Sequence, residues 1–271
     1  MENKTVSASQ NPGLANKLIQ QAIQDEAPVI EKAEVKVPFS NVVDLPGGYV
    51  TLAGEVITTA EVRELTGRDE EAIIKAPNIG KALITILNRG VVKIGDMDAT
   101  ESLLDELLVG DRDALILGIY RATFGDTVDL SGYDTSTGQV ESVTVNIVED
   151  IKHRLLTDVI NERRFTVKGK KNEYVVALPT GAAQKEMAAS SDKSVSELTS
   201  ILLYHCVKEI NGGPVYSLEQ IRALGIADRQ LITEELTNRA PGPQFDDITV
   251  PNPETDGKVV VPISLGAIFR L

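Results

Sequence analysis

The chain has 271 residues, 42% of them hydrophobic, with 4% aromatics and no tryptophan, so a core has to be built from Leu, Ile, Val and Ala. Its 40 acidic against 27 basic residues give a formal charge of −13, a surface that phosphate backbones and anionic membranes repel. The single cysteine, Cys206, excludes an intramolecular disulfide framework and an all-cysteine zinc site. No run of about 18 apolar residues offers a membrane span, and the polar start MENKTVSASQNPG lacks the hydrophobic region of a signal peptide; a soluble protein of a reducing cytoplasm is expected.

In chain order, residues 1–40 read as a flexible N-terminal segment with one short amphipathic helix. Leu14, Leu18, Ile19, Ala22 and Ile23 fall at helical spacing within residues 14–26, and Pro28 ends the run. Such a helix either docks on a partner or packs on its own domain, and the spacing favours neither. From Asn41, the stretch VVDLPGGYVTLAGEVITTAEVRELTG reads as strands joined by turns at Pro46-Gly47-Gly48 and Gly54. Thr66 then caps a helix, with Asp69 at its third position in a capping-box-like arrangement and Asp69, Glu70 and Glu71 at the positive end of the helix dipole. Capping is expected of these carboxylates rather than acid–base chemistry, because no His, nucleophilic Lys or metal-ligand cluster stands nearby in sequence. Pro77 stops that helix; IGKALITILNRG (79–90) forms the next, with Gly90 as its C-terminal cap. Asp98 or Thr100 starts a third, carrying Leu103, Leu104, Leu107 and Leu108.

The segment LLVGDRDALILGIYRATFG (107–125) follows. Asp111 fits an N-cap. Arg112 would lie in the first helical turn, where the dipole disfavours a cation, so a specific partner such as a carboxylate on a neighbouring element is expected. Leu115, Ile116, Ile119 and Ala122 form the buried stripe and Gly125 ends the helix. DTVDL and ESVTVNI then alternate like strands around the turn SGYDTSTGQ.

The design returns at an offset of 117 (228 − 111) as LGIADRQLITEELTNRAPG (224–242), with Asp228-Arg229 on Asp111-Arg112. Ahead of it, RRFTVKGKKNEYVVALPTG reads as a hairpin turning at Gly169–Asn172, its basic residues a solvated tip rather than a nucleic-acid patch. Its Leu178-Pro179-Thr180-Gly181 echoes Leu45-Pro46-Gly47-Gly48. Ser194 and Glu197 make a capping box before ELTSILLYHCVKEINGG, read as a helix ending at Gly212-Gly213. SLEQIRALGI precedes the second Asp-Arg helix, and DDITVPNPETDGKVVVPISLGAIF supplies closing strands. The recurrence points to a tandem duplication and an α+β fold of two related modules, residues 41–150 and 151–271. Each has a hairpin or strand region, three short helices and a β-ribbon.

Catalytic constellations are nearly absent. His205 and Cys206 are adjacent on a helix and point apart, so a core thiol beside a boundary histidine is expected rather than a nucleophile pair; His153 stands alone. Gly80-Lys81 lacks the upstream glycine of a phosphate loop, since position 75 is Lys75. The residues singled out are Thr66, Asp69, Asp111, Arg112, Asp228 and Arg229, as structural or partner-contact positions with the structural role favoured. No catalytic residue, metal or cofactor is expected.

Four stretches together, VRELTGRDEEAI, LLVGDRDALILGIYRATFG, ALPTG and NRAPGPQFDDITVPNPETDGKVVVPISLGAIF, resemble the tail and baseplate assembly proteins of contractile-tailed phages, in order over residues 42–271. The resemblance implies a non-enzymatic protein binding other tail or baseplate proteins, in the host cytoplasm during assembly or as a permanent part of the virion, with no nucleic-acid or membrane partner. An oligomer within a larger assembly fits the same picture. Members of that group commonly carry a Cys-x-x-Cys-Gly knuckle after each Asp-Arg helix. Here the matching turns read DTSTG (134–138) and NPETDG (252–257), without a thiol, so hydrogen bonding is expected to close them in place of zinc.

Overall fold

In the computed structural model, which describes Lys17, residues 40–252 and residues 257–271, the β-branched stretch after residue 40 forms the hairpin β1 (Ser40–Val50) and β2 (Val56–Arg63). Pro46-Gly47-Gly48 is not the turn expected there. It bulges out of β1, whose register with β2 jumps between Asp44 and Tyr49, and the connection lies at residues 51–55. The helix expected within residues 14–26 lies outside the described residues, Lys17 excepted.

Helices α1 (Gly67–Ile74) and α2 (Ile79–Gly90) follow, and Asn78 caps α2 by accepting the Lys81 N–H at 2.9 Å. Gly90 is not a C-cap. It is the last helical residue, buried so closely against Ile119 that a Cβ would lie 2.6 Å from that side chain. The chain then extends into a hairpin that the sequence reading missed, β3 (Val91–Ile94) and β4 (Met97–Asp98). β3 pairs with β2, giving an antiparallel sheet of order β1-β2-β3-β4. The short helix α3 (Glu101–Glu106), capped by Thr100, stops before Leu107, and α4 (Val109–Phe124) runs to Gly125.

After the ribbon β5 (Thr127–Asp134) and β6 (Val140–Asn146) and the short β7 (His153–Arg154), the first order of elements recurs. It runs β8 (Arg164–Lys168), β9 (Glu173–Ala177), α5 (Gly181–Ala189), α6 (Val195–Cys206), β10 (Val207–Ile210), β11 (Gly213–Pro214), α7 (Leu218–Arg222) and α8 (Ile226–Arg239). Its sheet has the corresponding order β8-β9-β10-β11. The helix expected through Gly213 ends at Cys206, because VKEINGG is a hairpin: Asn211 and Gly212, at φ 51 and 78, supply the left-handed pair of a tight turn. Pro179-Thr180-Gly181 stands in the place of Leu65-Thr66-Gly67 and not of Pro46-Gly47-Gly48, since Thr180 and Thr66 are each the N-cap of the helix leaving a hairpin whereas Pro46-Gly47-Gly48 lies within β1.

β12 (Gly242–Pro243) pairs with β7, and β13 (Ile248–Pro251), β14 (Lys258–Val261) and α9 (Leu265–Phe269) close the chain. The two ribbons unite in one sheet of order β13-β14-β5-β6, and the fold is α+β with antiparallel sheets. Two apolar clusters fill it. The first gathers Val62, Ile86, Leu107, Leu115, Ile119 and Val145, together with Val259, Val261 and Ile268 from the end of the chain. The second is built on Leu108, Tyr174, Val176, Leu203, Ile232 and Leu236. Consecutive leucines, Leu107 and Leu108, thus feed different cores, and the described residues from 40 onward belong to one compact unit.

Candidate functional site

Neither Asp-Arg aspartate caps its helix. The N-caps are Leu108 and Gly225, and Asp111 and Asp228 stand three residues further on. There the carboxylates keep a favourable place at the positive helix end while reaching outward to a β-hairpin. Asp111 Oδ1 accepts the Gly47 N–H at 2.5 Å, and Arg163, from the second half, donates to the carbonyls of Gly47 and Gly48. The bulge of β1 is therefore held by an acid on its amide side and a base on its carbonyl side. A Cβ at position 47 would fall 2.6 Å from Leu108 and 2.9 Å from Asp111, so the close approach requires glycine. Asp228 accepts the Lys170 N–H at 2.9 Å and the Tyr174 hydroxyl at 2.7 Å, from the tip of the β8–β9 hairpin.

These settings move the two acids in opposite directions. Burial pushes Asp111 up to about 7, against the Gly47 N–H and the Arg163 charge, and its Oδ2 has no hydrogen-bond partner among the described residues. The Lys170 N–H and the Tyr174 hydroxyl lower Asp228 below its ordinary value. Loss of water around Asp113, opposed by Gln184 and Arg112, lifts it to about 7.

Arg112 is buried, 1% exposed, and donates to the Leu104 carbonyl at 2.6 Å and to Gln184 Oε1 of α5 at 2.7 Å. The expected carboxylate is present but only the third and longest contact: Asp105 Oδ1 lies at 3.5 Å. Arg229 repeats the backward reach, to the Ile221 carbonyl at 3.4 Å, and adds the Ser196 carbonyl at 3.1 Å and the Ser200 hydroxyl at 2.9 Å. No carboxylate pairs with it among the described residues. Each arginine thus ties its helix to the short helix before it by the carbonyl eight residues upstream.

Thr66 and Asp69 meet as expected: the Thr66 N–H and hydroxyl both donate to Asp69 Oδ2, at 2.9 and 2.8 Å. The sequence did not reveal that Asp69 is buried and takes a two-pronged bond from Arg63 at 2.9 and 3.1 Å. Burial pulls its pKa upward, but Arg63 and Thr66 outweigh it and hold the carboxyl down at about 2.

Of the turns matching the knuckles, DTSTG (134–138) is described, whereas NPETDG (252–257) lies outside the described residues except for Asn252 and Gly257. Asp134 Oδ1 accepts the N–H groups of Ser136 and Thr137, and its Oδ2 accepts Asn252 Nδ2 at 2.7 Å, while the same amide donates to Glu141 at 2.8 Å. Side-chain hydrogen bonds therefore join the first turn to Asn252. Among the described residues no group of three or more His, Cys, Asp or Glu side chains is arranged to hold a metal ion.

Cys206 is buried in the second core, its thiol pushed up to about 12 by burial, and His205 turns away to meet Glu186 at 2.7 Å. His153, lowered by burial and the Arg121 charge, pairs in β7 with Pro243. Arg63, Arg163 and Gln184 are contact residues that sequence reasoning missed, whereas Asp134 and Asn252 belong to the turns expected to close by hydrogen bonding; a cation just before a strand carries no local sign of the buried bulge it holds. No described helix is long and apolar enough to cross a membrane.

The sequence model of the family described as T4 bacteriophage base plate protein matches residues 41–269. No curated protein and no solved structure matches the chain.

Proposed function

The chain belongs to the T4 bacteriophage base plate protein family, and from that membership we propose that it is a non-enzymatic assembly protein of a phage tail, acting through contacts with other baseplate and tail proteins in the host cytoplasm. The match over residues 41–269, both halves and both ribbons, carries this reading. The chemistry of the polar residues supports it. The buried acids and bases hold a bulge, a hairpin tip and helix ends, and the thiol is sealed in a core. A second reading, a permanent component of the finished particle, rests on the same family description.

We also read the two halves, residues 41–150 and 151–271, as copies of one module. The common order of elements and strands, the matching third-position aspartates and the arginines reaching back eight residues support this. On that reading the copies close their ribbons on one another through Asp134 and Asn252, in the place where relatives carry the thiol knuckles.

Quantitative mass spectrometry of purified virions, alongside affinity capture from infected cells, tests the proposal. Capture of tail proteins with the chain absent from virions supports the assembly role, and stoichiometric recovery in virions supports the permanent one. A chain that captures no tail or baseplate protein and is missing from virions sinks both.

A further inference from the structure

In the first half, a groove between α2 and α4 is filled by α5 of the second half. Gly80 sits so close that a Cβ there would be 2.9 Å from that of Ala188, and the Asn78 side chain donates to the Ala188 carbonyl at 3.1 Å. Arg112 bonds to Gln184 at 2.7 Å, and Lys185 pairs with Glu101 at 2.6 Å and Asp105 at 2.8 Å. Beside this helix the backbones zip: the Val109 N–H donates to the Pro179 carbonyl at 3.0 Å and the Gly181 N–H to the Leu107 carbonyl at 2.9 Å.

The corresponding groove of the second half, between α6 and α8, is open. It has a volume of about 480 Å³ and is lined by Ser196, Thr199, Arg229, Gln230 and Thr233, among others. Conversely α1, which stands in the first half where α5 stands in the second, packs on α2 and leaves Glu70, Glu71 and Ile74 exposed. The end faces carry apolar side chains in the open: Ile74 is 75% exposed on α1 and Ile226 76% exposed at the start of α8. Gly67 and Gly225, counterparts of the packed Gly181 and Leu108, have nothing within 4 Å of an added Cβ.

Position by position, Glu70 and Glu71 stand for Gln184 and Lys185, and Ile74 for Ala188. Arg229, Arg222 and Ser196 stand for Arg112, Asp105 and Gly80. Seating α1 as α5 is seated therefore brings Glu70 to Arg229 and Glu71 to Arg222. The second of these is the Lys185–Asp105 ion pair with its signs exchanged.

We propose that α1 of one copy of this chain docks in the α6–α8 groove of a second copy, continuing between chains the contact that α5 makes within one. The two surfaces differ, so the contact is head-to-tail and repeats along a row or closes a ring. It rests on the reading of the halves as copies of one module, which superposition of the halves tests separately. It does not depend on which baseplate partner is bound.

The test uses the full chain at physiological ionic strength, with light scattering and sedimentation across a concentration series. Concentration-dependent self-association is expected. The exposed-site variants Glu71→Arg and Arg222→Glu should each weaken it by about tenfold, and mixing the two should restore pairing, because only the mixture reunites opposite charges. Oxidising a mixture of Ile74→Cys and Ser196→Cys chains should give a mixed disulfide dimer that neither variant forms alone. A chain that stays monomeric throughout, or association indifferent to both charge reversals, overturns the proposal. So does a photoreactive group at Ser196 that captures residues 1–39 of its own chain.

Discussion

Replacing Asp111 with Asn isolates one of the two strongly raised carboxyls of the first Asp-Arg helix. Burial raises this carboxyl from its ordinary 3.8 to about 7, so over that interval the folded chain holds a proton that the unfolded chain has released. A group raised in this way stabilises fully below its unfolded pKa, and that contribution is lost as the pH rises through the folded one. Roughly three units at about 1.4 kcal/mol each give about 4 kcal/mol across the window. Asp69 and Asp228, held low, work with the opposite sign, their contribution being lost as the pH falls; Asp113, raised to about 7, shares the sign of Asp111. All three remain in the variant and largely cancel in the difference. Asp111→Asn keeps an oxygen to accept the Gly47 N–H and carries no charge at any pH. Urea unfolding of both proteins from about pH 4 to about pH 9 gives the comparison. Wild-type stability minus variant stability should fall by about 1.4 kcal/mol per pH unit up to about pH 7 and level off above it. A difference that is flat across the range refutes the account of Asp111 as a buried acid protonated below neutrality.

Other outcomes follow from the same geometry. Arg112→Ala strands the buried Leu104 carbonyl and frees the half-buried Gln184 Oε1, and should cost about 3 kcal/mol in denaturant unfolding, whereas half-buried Arg229→Ala should cost about 1 kcal/mol; equal losses would contradict the tie that Arg112 makes between the halves. Asp228→Ala should lower the melting temperature and speed amide exchange at Lys170, and an unchanged exchange rate there would exclude the carboxylate as its acceptor. Asp134→Ala should likewise expose the Ser136 and Thr137 amides to exchange, while a chelator should leave the melting temperature of the parent protein unmoved; a chelator-induced drop would mean that a metal closes the turns.

What the sequence disclosed is what local chemistry writes. Thr66–Asp69 and Ser194–Glu197 are capping boxes whose two members lie within one turn, and the β8–β9 hairpin has its turn residues between alternating apolar flanks. The starts of α4 and α8 were not readable, because their caps are Leu108 and Gly225, which offer no side-chain acceptor. Leu108 is extended because it bridges to Thr180, a contact far along the chain. The hairpin after Gly90 was missed because its strands, VVKI and MD, are only four and two residues long, too short to show an alternating pattern. Pro46-Gly47-Gly48 carries turn chemistry that tertiary contact diverts into a bulge, with Asp111 and Arg163 taking the hydrogen bonds a turn would keep to itself.

On the repeat reading, the two Asp-Arg helices should differ most where their surroundings differ, and they do. α4 is enclosed: Ala114, Leu117 and Gly118 are buried, and a Cβ at Gly118 would fall 2.3 Å from Val43. Their counterparts in α8 are the half-buried Leu231, the exposed Glu234 and the half-buried Glu235, on a helix open to the groove. Enclosure removes polar side chains because each would need a partner in the dark, and exposure relaxes that requirement. What stays common is what both positions need: an acid at the third helical position to hold a hairpin and an arginine to hold the preceding short helix. Element order, those two residues and the buried positions Leu115 and Ile119, matched by Ile232 and Leu236, are therefore the mark of the repeat. The polar faces of α8 and α1 are then the two ends of a two-module chain, where nothing within the described residues takes the place that α5 takes at α4.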